Sequence, residues 1–253
     1  MDSAILSTTY LGPIEYYSKL FHYKNILLET QENYIKQTYR NRCFIGAAND
    51  KLSLSIPVES SGGEKTSIKE IRLSDHGNWR HQHWYAIRST YNSTPFFEYY
   101  EDEFAPFFEK KFDFLFDLNE ELRELICSLL GISPNIIYTN EYFEPNEDFR
   151  KPVDDIIYKN ELIIPSNSIK AVQNNSFLIK DITNNIDESI IVKDFRYTIH
   201  PKRDYKILDN EYKDVDYYQL FDKKWGFRPN LSIIDLLFNM GNESIIILKN
   251  SIK

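Results

Sequence analysis

The chain has 253 residues, enough for one large domain or two small ones with a substantial core. Its formal charge of −8 excludes a general nucleic-acid binder, which needs a basic footprint, and 18 Tyr with 17 Phe demand a core built largely from rings. Two cysteines without CxxC spacing exclude a disulfide framework, and no window reaches membrane-span length.

The opening residues Met1-Asp2-Ser3-Ala4-Ile5-Leu6 lack the basic start and long apolar run of a signal peptide. A cytoplasmic protein without membrane insertion is the expectation. Ala4 to Thr9 reads as a strand, Gly12-Pro13 opens a helix with the face Ile14, Tyr17 and Phe21, and Ile26 to Glu29 reads as a second strand. That order suits a parallel pair joined by a crossover helix. The basic, tyrosine-rich link Tyr34 to Arg42 is either a solvated connector or one wall of an anion site, since Arg and Lys match phosphate and carboxylate.

Cys43 to Ala47 and Leu52 to Val58 read as a hairpin with Leu52, Leu54, Ile56 and Val58 on its buried face. Cys43 lies beside Arg40 and Arg42, where positive charge lowers a thiol pKa; the plainer reading is a structural cysteine, as it is for Cys127 on an apolar helical face. Ile68 to Leu73 reads as a strand delivering the stretch Asp75 to Trp84, which holds three of the five histidines and two of the three tryptophans. Asn78 reads as the N-cap of a helix with the face Trp79, His83, Ile87 and Tyr91. Two apart on a helix, His81 and His83 diverge by about 200°, so a shared zinc is not expected. The plain reading of His83 is a hydrogen-bonded core histidine; His76, on the turn, is freer.

Thr94-Pro95 starts a helix through Phe96, Tyr100 and Phe104, which Pro106 ends or bends. Asn119-Glu120-Glu121 opens another, with the face Leu122, Leu125, Ile126 and Leu129 and a stop at Gly131. Ile136 to Thr139 and Tyr197 to Pro201 read as strands, with irregular signals between 145 and 191 and a variable insertion expected at 166–190. Ser232 and Asp235 form a capping-box-like start, Leu236 to Phe238 an apolar run, and Gly241 the stop. So apolar a helix belongs inside, and its polar groups then need partners. Dinucleotide and P-loop fingerprints are absent, as is any known metal-ligand spacing, so neither a cofactor nor a metal is expected. The fold expected is a single α/β domain over 1–253, with a mixed sheet and a helical layer after the first strands.

Three ordered blocks, Asn33–Cys43, Ser74–Trp84 and Gly226–Asp235, resemble the WbqC-like family, and the resemblance runs from about Ile5 to Leu248. Where many relatives have Gln-Pro or His-Pro after the first strand, this chain has Thr8-Thr9-Tyr10. The resemblance implies a link to surface-polysaccharide assembly, O-antigen or capsule, and some members are described as glycine transferases. Two hypotheses follow. In the first, the chain is an acyl or aminoacyl transferase acting on an amino sugar, with His76 or His83 as base and Asn78 or Tyr91 orienting it. Cys43 is the acyl carrier of a covalent variant, and Lys36, Arg40 and Arg42 bind an anionic donor or a nucleotide sugar. Arg80, Gln219, Asn230 and Asp235 complete the expected substrate contacts. In the second, the protein binds an amino sugar or nucleotide sugar without chemistry. Convergence of His76, His83, Arg42 and Asp235 on one cleft favours the enzyme; Arg40 and Arg42 apart from the histidines favours binding. Loops near 34–43, 75–83 and 226–239 are expected to meet at the sheet edge.

Overall fold

The computed structural model describes residues 3–59, 65–145, 161–165 and 189–253. β1 (Ser3–Ser7) lies at the centre of a five-stranded sheet, flanked by β2 (Asn25–Glu29) and β7 (Ser189–Asp194), with β5 (Asn135–Tyr138) and β6 (Glu161–Pro165) at the edges. β1 runs parallel to β2 in the register Ser3↔Asn25 to Ser7↔Glu29, and parallel to β7 with Ile5 opposite Asp194. β5 is parallel to β2, and β6 is antiparallel to β7. The central strands carry apolar side chains on both faces, as a strand covered on both sides must. Ala4, Leu6, Ile26 and Leu28 enter the main core, while Ile5 and Leu27 join Leu162, Ile164 and Val192 on the other face.

α1 (Ile14–His22) links β1 to β2, so the expected strand, helix, strand opening and mixed α/β fold hold. Its first turn is tied from far along the chain: Asn230 Oδ1 accepts from the Glu15 amide at 3.0 Å, serving the end that Pro13 leaves without a side-chain cap. β3 (Arg42–Ala47) and β4 (Asp50–Ser55) form a separate antiparallel hairpin. Leu54 and Ile56 point inward, but Leu52 is left 38% exposed, against the expected buried face. The helical layer follows: α2 (Trp79–Tyr91), α3 (Phe97–Glu109) and α4 (Leu115–Leu129). After β7 come α5 (Tyr205–Leu208), α6 (Asp222–Trp225), α7 (Ile233–Met240) and α8 (Ser244–Asn250).

Several local expectations are corrected. Ile68, Ile71 and Leu73 are all buried, a spacing that one strand face cannot serve; the segment forms a 3₁₀ turn over Ile68–Glu70 followed by single bridges. α4 starts at Leu115, because the stripe Leu115, Leu118, Leu122 and Ile126 begins there, and it takes Asn119 and Glu120 into its buried interior. α3 continues through Pro106, since Phe108 shares the buried face of Phe104. Tyr197 to His200 is a turn closed by Ile199 N–H donating to the Phe195 carbonyl, and the strand lies earlier, at β7. Asn78 adopts a left-handed backbone (φ 48°) after Gly77 (φ 76°) and makes no cap bond. Ser232 likewise caps nothing: its hydroxyl donates to the Leu11 carbonyl at 2.6 Å. The stops at Gly131 and Gly241 stand, both with positive φ, and α7 is buried as its composition requires. Nearly all of the expected insertion at 166–190 lies outside the described residues.

Candidate functional site

β1, β2, β5 and β7 are parallel, so their carboxyl ends share one edge of the sheet. The chain leaving β1 returns on the β2 side, while its other neighbour β7 comes from the far end of the sequence. In an open α/β sheet, that divergence makes a crevice outside the strand ends, the usual ligand position. Here Ser7, Thr8 and Thr9 form one lip and Phe195, Arg196 and Ile199 the other, with Tyr16, Tyr39 and Arg40 behind.

The strand ends also bring charge together. Arg40 donates through Nε to Glu32 Oε1 at 2.8 Å, and through Nη2 to Glu32 Oε2 and to Ser7 Oγ. Arg196 donates to both Asp194 oxygens at 3.0 and 2.6 Å and to Glu29 Oε2 at 3.0 Å, joining the ends of β7 and β2. Its Nη1 also reaches the Phe143 carbonyl, so every nitrogen of the fork donates at least one hydrogen bond. A third pair, Arg123 with Glu120, takes in the Tyr138 hydroxyl and, at 3.3 Å, the Thr8 hydroxyl. Burial raises the pKa values of Glu29 and Glu120, and for both the neighbouring guanidinium opposes the rise. Arg40 is pulled down by burial and lifted further by Glu32, and stays charged. Pairs this buried gain little net stability over an apolar filling, because desolvation cancels much of the attraction, but they fix geometry tightly. The space between the lips is about 10 Å³, room for one water, and two of its hydroxyls are already bonded, Ser7 to Glu32 and Thr8 to Glu120. The Tyr16 hydroxyl, wholly buried beside Thr9, makes no hydrogen bond of ordinary geometry.

Of the candidate catalytic and substrate-binding residues named from the sequence, Arg40 alone reaches this crevice. His83 is 5% exposed; its Nδ1 meets the Tyr10 hydroxyl at 2.9 Å and its ring N–H donates to the Ser55 carbonyl. Burial pushes its pKa down to about 4, so it is a neutral, satisfied core imidazole. Cys43 is fully buried on β3 and burial pushes its thiol up, overriding any effect of the neighbouring arginines. His76 and Asn78 are exposed on the turn before α2, where Arg80 pairs with Asp75 at 2.6 Å. Lys36 is exposed, and Arg42 donates to Ser55 Oγ on the outside of the hairpin. The three loops therefore do not share one cleft.

A different grouping of those residues does form. Asp235, turned inward from α7, accepts from the hydroxyls of Tyr91 at 2.7 Å and Tyr217 at 2.6 Å, from Gln219 Nε2 at 3.3 Å and from the Gly46 amide. Burial raises its pKa and these donors hold it down. A Cβ on Gly46 would stand 3.1 Å from Asp235 Oδ1, so the bare backbone is what lets β3 approach. Asn230 is spent on Glu15, donating to its carboxylate as well as capping α1. Sequence reasoning missed Ser7, Glu29, Glu32, Asp194 and Arg196. The one available signal was an acidic residue ending a strand, after an apolar run in Ile26-Leu27-Leu28-Glu29 and after Ile191-Val192-Lys193 at Asp194.

Fold and site together define an α/β protein with an open mixed sheet and a polar crevice at the carboxyl edge of its parallel strands. The chain belongs to the WbqC-like protein family, whose match spans residues 8–247. It is 26% identical over 243 residues to the uncharacterized protein Rv1507c of Mycobacterium tuberculosis (strain ATCC 25618 / H37Rv), an alignment covering 95% of this chain and 94% of that protein. No solved structure matches it. Among the described residues, no helix is long and apolar enough to cross a membrane, and no group of three or more His, Cys, Asp or Glu side chains could hold a metal ion.

Proposed function

We propose that this protein recognises an amino sugar, free or as the sugar end of a nucleotide sugar, at the carboxyl edge of its parallel strands, outside the water-sized crevice of about 10 Å³ between β1 and β7, and serves surface-polysaccharide assembly. One observation carries the reading: arginine–carboxylate pairs hold the ends of β1, β2, β5 and β7 along one edge of the sheet, with Arg40 and Arg196 reaching the switch point itself. An uncharged, hydroxyl-bearing ligand end suits an edge whose guanidinium groups are already matched by carboxylates. Membership of the WbqC-like family supports the pathway.

The chemistry most in keeping with this ligand is acyl or aminoacyl transfer to the amine. His200 is the imidazole on that side, next to Ile199. Its Nδ1 accepts from the Lys202 amide at 3.1 Å, and burial, reinforced by Arg203, Arg40 and Lys202, lowers its pKa to about 4. It is therefore neutral at physiological pH, a hydrogen-bond donor or a weak base. Recognition without turnover is the reading favoured over it, because His76, His83, Arg42 and Asp235 do not meet in one cleft and because His83 and Cys43, on which amide chemistry would have drawn, are both core side chains.

Calorimetric titration with glucosamine and with UDP-N-acetylglucosamine tests the site. Binding of either is expected, and His200→Trp, which crowds the half-buried rim beside Ile199, is expected to abolish it while leaving thermal unfolding cooperative. Unchanged affinity in that variant refutes the location. Mass analysis of glucosamine incubated with a glycyl thioester then separates transfer from recognition.

A further inference from the structure

A second space, sharing no lining residue with the crevice, lies between the hairpin and the outer face of α2. Tyr85 and Ser89 look across it toward Asn49, Lys51 and Leu52, Phe221 closes one end, and its volume is about 410 Å³. That is within the range of small-molecule pockets, roughly 300–1,000 Å³.

Its surfaces are specific in kind. Tyr85 is 68% exposed, and its ring lies parallel to the exposed His81 imidazole, with 12° between planes and 6.4 Å between centroids. An aromatic face that is both open and oriented is a platform rather than a stray exposed residue. The opposite wall is also fixed: the Ala48 carbonyl accepts from Trp225 Nε1 at 3.0 Å and from Lys224 Nζ at 2.7 Å, pinning the hairpin turn. The charges are already matched, Asp50 with Arg228 at 2.7 Å, while Lys51 donates to the Pro229 carbonyl. Ala47, Asp50 and Phe221 also line the entrance to the buried Asp235 cluster, so the floor is anchored by the Gly226–Asp235 block.

We infer that this groove binds a neutral saccharide, one ring of which stacks its C–H face on Tyr85 while Asn49 and Ser89 meet its hydroxyls. A nucleotide or another polyanion would have to draw Lys51 and Lys224 off the backbone carbonyls they hold, since Arg228 is already neutralised by Asp50. A bound peptide strand would need a continuous apolar strip, and the apolar lining of Ala47, Ala48, Leu52, Ala86 and Phe221 is interrupted by Asn49, Asp50, Lys51 and Ser89. The inference stands on this groove alone and is independent of what the crevice binds.

The test is titration of the whole protein with maltotriose, cellotriose and tri-N-acetylchitotriose, followed by the fluorescence of Trp225 at the groove's end, with Trp225→Phe as the control. At least one trisaccharide is expected to give a saturable change at millimolar concentration. Tyr85→Ala, at an exposed position, is expected to weaken it about tenfold with the thermal midpoint unchanged. Ser89→Trp, which fills the groove, is expected to remove it. Absence of a saturable response to all three sugars overturns the inference, as does a response that survives both substitutions. Tighter binding of UMP than of any trisaccharide, lost in Tyr85→Ala, also overturns it by reassigning the groove to a nucleotide.

Discussion

Replacing His83 with glutamine should convert a pH-dependent contribution to stability into a constant one. In the folded protein the imidazole is buried between the Tyr10 hydroxyl and the Ser55 carbonyl, and its pKa falls to about 4. Unfolded, it returns to the ordinary value of about 6.5. The unfolded state then binds more protons over that interval, so stability rises with pH: the contribution is complete above the unfolded value and is lost as pH falls through the folded one. Integrating over the shift, the margin of the wild type over His83→Gln should shrink by about 2 kcal/mol between pH 7 and 5, and by about 3 kcal/mol at pH 4. Urea unfolding of both proteins at each pH measures it. The other shifted groups, His200 and the buried acids, titrate in both proteins and cancel in the difference. A margin that stays flat from pH 7 to 4 would refute the buried, neutral assignment of His83, and with it the account of why this histidine is not a base.

Other outcomes follow from the same contacts. Arg196→Met leaves Asp194 and Glu29 buried without their partner and should cost about 3–5 kcal/mol in urea unfolding, far more than the exposed Arg88→Met. Asp235→Asn keeps the volume but removes a charged acceptor from Tyr91 and Tyr217; a loss of about 1–3 kcal/mol is expected, with faster hydrogen exchange at the Gly46 amide. Glu15 is raised by burial and by Asp209, so its contribution is present below the unfolded value and lost as pH rises; Glu15→Gln should gain on the wild type from pH 5 to 8 in the same unfolding assay. Gly241→Ala should destabilise more than Gly131→Ala in thermal melts, since both have positive φ but only the former puts a Cβ 2.6 Å from the Phe96 ring.

The α/β class, the parallel opening pair, the buried face of α2 and the glycine stops were all readable along the chain. Each rests on local periodicity or on backbone conformations that few residues tolerate. The same is true of the family blocks, whose residue order is itself the signal. Side-chain destinations were not readable in that way. Arg40 and Arg42 are two apart with identical chemistry, yet Arg40 is spent on Glu32 inside the sheet edge and Arg42 lies on the hairpin's surface. Asp235 looks like a helix-cap acid and is instead the acceptor for two tyrosines that lie 144 and 18 residues before it in the chain. The crevice shows the same limit, since Ser7, Glu29 and Asp194 come from three strands whose order in the sheet no local pattern encodes. Periodicity says which face of an element is buried; only the packing of distant elements decides which partner a buried polar group finds, because the cost of leaving it unpaired is settled by neighbours that the local sequence does not contain.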